Sequence, residues 1–160
     1  MCPRPTVSAA PSQLYARATI CMLAWASTQP KGAVGIVSLS GGTGSMKPGS
    51  NCDQEALVSA IGSFGERSRI PTLWLYAEND TFFDPWIVER MHEAYAQGGG
   101  VAEVHVFDRL KEDGHELWKH FDGNLLWLPV LDRFLRAHGL PTWEAEPLDA
   151  GALVGNYTGR

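Results

Sequence analysis

Three short apolar runs, separated by stretches of helical period, constrain the fold of this chain more than any other feature. Ala33-Val34-Gly35-Ile36-Val37-Ser38-Leu39 is β-branched and almost continuously apolar, the pattern of a strand covered on both faces. Thr72-Leu73-Trp74-Leu75-Tyr76-Ala77 repeats that pattern, and Val101 to Phe107 alternates as a third strand. Between the first two, Asp53 is placed to cap a helix through Leu57, Val58 and Ile61 to about Phe64. Between the last two, Asp84-Pro85 supplies a cap and a first-turn proline for a helix carrying Ile87, Val88, Met91 and Tyr95. Helical pattern is also expected from Ser12 to about Thr28 and, after a short helical stretch, from Leu125 to His138, closed by Gly139-Leu140-Pro141. Strands alternating with helices in this way predict an α/β fold: a parallel sheet of about three strands with helices on both faces.

At 160 residues the chain has room for one domain, expected over residues 12–141, with a proline-rich arm at 1–11 and a tail without clear period at 142–160. A composition 44% hydrophobic and 19% charged excludes a disordered chain, and the 17 Gly and 10 Pro suit many turns better than a helical bundle. The net charge of −5 gives no footprint for nucleic acid or an anionic membrane. Cys2, Cys21 and Cys52 lack a C-x-x-C pairing, so neither a disulfide framework nor a zinc site is suggested, and a reducing, cytoplasmic setting is the default. The alternative, a secreted or periplasmic protein, rests on Ala18 to Ala26, a short signal-like apolar run after Arg17. That run is too short to span a bilayer and reads as a buried helix.

Parallel sheets form their sites where loops leave the carboxyl ends of the strands. Glu78-Asn79-Asp80 follows the second strand and Lys111-Glu112-Asp113-Gly114-His115 the third, so a carboxylate and an imidazole are brought to one rim. A buried carboxylate that accepts a bond from histidine Nδ1–H fixes the tautomer and stabilises the imidazolium formed when the histidine takes a nucleophile's proton. By spacing alone Asp80 suits equally a turn-forming residue that bonds its own backbone, and His115 a loop histidine.

The segment Ile70 to Phe83, with Met91-His92 and Ala94-Tyr95 after it, resembles the late-strand segment of α/β-hydrolases of the dienelactone hydrolase-like group. Glu112-Asp113-Gly114-His115 and the closing Phe134-Leu135 with Gly139-Leu140-Pro141 match the same group, so the resemblance runs from about Ala33 to Pro141. It implies a partial α/β-hydrolase fold, the carboxyl-terminal portion, with Asp80 as triad acid, His115 as triad base, and hydrolysis of a carboxylic ester or lactone as the activity. No cofactor is implied. The G-x-S-x-G nucleophile elbow of such enzymes would precede Ala33. Leu14-Tyr15-Ala16-Arg17-Ala18-Thr19-Ile20 stands there, with alanine where the serine belongs and Leu14 and Ala18 at the two glycines.

Two substitutes for the nucleophile are present. Ser38-Leu39-Ser40-Gly41-Gly42 reads loosely as S-x-S-x-G at a strand end, which makes Ser40 a candidate; against it, the stretch through Lys47-Pro48-Gly49-Ser50 to Asn51 is expected as loop, where an elbow enters a helix at once. Cys52 offers a thiol, although a small buried hydrophobe is the commoner role of a free cysteine. His92, His105, His120 and His138 assemble no converging ligand set, so no metal is expected. The expected function is therefore that of an ester or lactone hydrolase with acid and base but no recognisable elbow, weak or inactive as this chain. The alternative is a non-catalytic remnant or interaction protein of the same fold. Either way, an early-strand portion missing from the sheet would expose the edge of Val34–Leu39 or Leu73–Tyr76 and favour a homo-oligomer.

Overall fold

The computed structural model describes residues 20–140 and residue 142. The arm at 1–11, the start of the helix expected from Ser12, the elbow-like residues 14–19 and the tail beyond 142 lie outside the described residues. Residues 20–26 are helical (α1). Then follow β1 (Ile36–Leu39), a small β2–β3 hairpin (Ser45–Lys47 and Ser50–Asn51), α2 (Gln54–Arg67), β4 (Thr72–Ala77), α3 (Pro85–Gln97), β5 (Ala102–Phe107), a 3-10 turn (Gly114–Glu116) and α4 (Phe121–Ala137).

The three apolar runs form one parallel sheet in the order β1-β4-β5, with Ile36 opposite Thr72 and Ala77 opposite Phe107. All six residues of β4 are buried, as its unbroken apolar sequence requires of a central strand. Because side chains alternate across a strand, β4 feeds two cores. Trp74 and Tyr76 join Leu23 and Ala26 of α1, Leu57 and Ile61 of α2, and Ile87, Val88, Met91 and Tyr95 of α3. Leu73, Leu75 and Ala77 pack on the opposite face with Leu110, Leu117 and, from α4, Val130 and Phe134. Two crossovers advancing in the same direction put α2 and α3 on one face, and α4 covers the other. The signal-like run is thus seated through Leu23 and Ala26 in the core. No helix among the described residues is long and apolar enough to cross a membrane.

The caps are where the sequence puts them: Asp53 accepts from the Ala56 N–H at 2.9 Å, and Asp84 accepts from the Ile87 N–H at 3.1 Å with Pro85 in the first turn of α3. The structure corrects two expectations. The stretch before Asn51 is a hairpin, closed by Cys52 N–H to Gly44 O at 2.9 Å and docked by Gly49 N–H to Thr81 O at 2.8 Å. Cys52 is exposed and disulfide-bonded, so it is neither a buried hydrophobe nor a free thiol; only Cys21 is free among the described cysteines.

Candidate active site

Asp80 and His115 meet at the carboxyl rim of the sheet. Their loops leave adjacent strands, and the side chains of Asn79 and Asp113 with the backbone amide of Gly114 staple one loop to the other. Asn79 donates through Nδ2 to Leu110 O and Lys111 O at 3.1 and 3.2 Å and accepts the Leu110 N–H at 2.8 Å. Asp113 accepts the Thr81 N–H at 3.1 Å, the Thr81 hydroxyl at 2.7 Å and the His115 N–H at 2.9 Å. Gly114 donates its N–H to Asn79 O at 3.1 Å. A Cβ on Gly114 would stand 2.6 Å from Ala77 Cβ and 2.7 Å from Asn79 Oδ1, so only glycine lets the histidine loop lie this close to the end of β4.

His115 Nδ1 lies 3.1 Å from Asp80 Oδ1 and 3.2 Å from Oδ2. A carboxylate only accepts, so Nδ1 carries the proton and Nε2 is left as the basic nitrogen of the neutral ring. The Asp80 side chain is fully buried, and that of His115 is 9% exposed. Oδ1 also accepts the Phe82 and Phe83 N–H groups at 2.8 and 2.9 Å. Asp80 therefore closes its own turn and at the same time faces the imidazole.

Below the pair, the Tyr76 hydroxyl donates to Gly41 O. Burial, and then the negative charge of Asp80, hold its pKa well above the ordinary phenol range. Its acceptor belongs to the turn that follows Ser40. Ser40 is 1% exposed, adopts the left-handed region with φ +49°, and its N–H continues the β1–β4 ladder to Leu75 O at 2.8 Å. Its Oγ is buried and bonds nothing among the described residues. The structure thus brings Asp80 and His115 together and leaves Ser40 outside their hydrogen bonding.

The remaining candidates sit elsewhere. Glu78 is exposed beside the turn. His92 lies 3.2 Å from Ala102 O, and His105 pairs with Glu103 on β5, where Arg133 joins them. His120 and His138 flank α4. No group of three or more His, Cys, Asp or Glu able to hold a metal occurs among the described residues. Asn79, Asp113 and Gly114 are the supports that sequence reasoning missed as such. The available signal was the habit of Asn and Asp in turns of bonding nearby backbone, applied only to Asp80. No family model, curated protein or solved structure matches the chain.

Proposed function

We propose that this is an α/β-hydrolase-type protein of the dienelactone hydrolase-like group whose Asp80–His115 pair is the acid–base half of a site for a carboxylic ester or lactone. The observation that carries the proposal is the buried carboxylate with both oxygens within 3.2 Å of His115 Nδ1. In the reaction, His115 Nε2 takes the proton of the nucleophile as that atom attacks the carbonyl carbon, and Asp80 stabilises the imidazolium. The proton then passes to the leaving oxygen, and water repeats the cycle on any acyl-enzyme.

Ser40 is the candidate nucleophile on this chain, at a strand end and on a strained backbone. Its hydroxyl does not bond His115, and a serine without its base is a weak nucleophile. Turnover is accordingly expected to be low. That same observation favours a second reading, a non-catalytic protein of the same fold that keeps acid and base without a nucleophile.

The test is hydrolysis of p-nitrophenyl acetate together with labelling by a fluorophosphonate, comparing the native chain with His115→Ala. Hydrolysis above the variant, and label on Ser40 that vanishes with the imidazole, support the hydrolase; general-base catalysis contributes about 10²–10⁴-fold when fully engaged. Equal rates and no label leave the second reading standing.

A further inference from the structure

One dipeptide touches both members of the pair. The Phe82 and Phe83 N–H groups hold Asp80 Oδ1 at 2.8 and 2.9 Å, which fixes the plane of the carboxylate. Their rings lie against the imidazole: the Phe82 centroid is 4.3 Å from that of His115 with 35° between the planes, and the Phe83 centroid is 5.9 Å away at 42°. Phe83 is fully buried in the core, whereas Phe82 is half-buried at the rim. Phe83 is therefore anchored by the fold, and Phe82 has the imidazole as its close aromatic neighbour.

We propose that Phe82 is a positioning residue for His115: its ring face holds the imidazole in the orientation that points Nδ1–H at the carboxylate its own backbone has fixed. The physical case has three parts. Which nitrogen of a neutral histidine carries the proton is set by the hydrogen bond that nitrogen makes, so the tautomer follows the ring's orientation. Rotation about the Cβ–Cγ bond of His115 would carry Nδ1 away from Asp80. A tilted aromatic neighbour at this distance resists that rotation more than an aliphatic side chain of similar volume, because ring–ring contact adds an orientation-dependent attraction to area burial. The arrangement also couples the two partners, since any shift of residues 82–83 moves acid and base together. The functional meaning of this role rests on the acid–base reading of the pair, but its measurement does not.

The experiment uses the full chain with ¹⁵N-labelled histidine and two-bond ¹H–¹⁵N spectra, recorded at the alkaline end of a pH series where the His115 nitrogen shifts no longer change. The His115 signals are assigned by their loss in His115→Ala. The native chain should show Nδ1–H as the dominant tautomer. Phe82→Leu keeps the backbone N–H and the apolar bulk but loses the ring face, and it should raise the Nε2–H to Nδ1–H ratio roughly three- to tenfold. Phe82→Tyr should restore the native ratio, and Asp80→Asn marks the limit for a lost anchor. Phe82→Met makes the same comparison should the leucine variant fail to fold. A native ratio in the aliphatic variants, or a tyrosine variant as displaced as they are, overturns the proposal. Absence of esterase turnover leaves this result intact, so failure of the positioning role and failure of the hydrolase reading are separately visible.

Discussion

Gly114 decides how close the base comes to the acid. Its missing side chain is the space in which the histidine loop lies against Ala77 and Asn79, at 2.6 and 2.7 Å from where a Cβ would be. Ala77 sits on a fully buried strand, so the loop must give rather than the sheet. Gly114→Ala should cost about 1–3 kcal/mol, the range for overpacking a well-filled site, and should lengthen the His115–Asp80 bond. Urea denaturation measures the first and the imidazole ¹⁵N shifts the second; unchanged stability would mean that the loop yields freely. At this scale the site was half legible. Asp80 and His115 follow from the rule that parallel-sheet sites sit beyond strand ends. Asn79 and Asp113 did not, because each looks like an ordinary turn residue until its backbone partners, across the loop pairing, are known. Ser40 was legible as a serine at a strand end, but nothing in Ser38-Leu39-Ser40-Gly41-Gly42 reveals that the hydroxyl is buried and unbonded.

β1 and β4 were readable as apolar runs and β5 by its alternation, and the caps because Asp53 and Asp84-Pro85 are local signals needing no tertiary information. The β2–β3 hairpin was not. Ser45-Met46-Lys47 and Ser50-Asn51 are too short and too polar for a period, and Lys47-Pro48-Gly49 reads as loop. The hairpin exists through a non-local anchor, Gly49 N–H on Thr81 O. For α3 the cap is exposed and makes one bond to the Ile87 N–H. Asp84→Ala should therefore destabilise the protein by about 1 kcal/mol while Asp84→Asn changes little. Chemical denaturation of the two variants side by side checks this, and equal losses in both would place the effect elsewhere than in the cap.

At the scale of the whole molecule, pH and concentration report on the two sides of the sheet. Tyr76 keeps its proton in the fold where the unfolded chain releases it near the ordinary phenol value of 10.0. A raised pKa contributes stability that is fully present below the unfolded value and lost as pH rises above it. Urea midpoints should hold up to about pH 10 and fall beyond it, and Tyr76→Phe should flatten that fall; an equally steep loss in the variant would assign it to other groups. The second expectation concerns β1, which is outermost among the described strands because β4 takes the middle. Among the described residues nothing pairs its outer edge, and Val37 is 37% exposed. Sedimentation over rising concentration should show self-association that Val37→Lys suppresses, since a charge on an edge strand opposes edge-to-edge pairing. A compact monomer at every concentration would refute it.

The strand order has one more outcome. The aspartate is carried by the middle strand, clamped from both sides, while the histidine follows a strand with a single neighbour among the described residues. Partial openings that peel β5 from β4 take less free energy than global unfolding, and they withdraw the imidazole while the carboxylate stays rooted. Amide exchange should then run faster through residues 102–107 than through 72–77, and the Asp80–His115 pairing should vanish under mild stress well before the fold does.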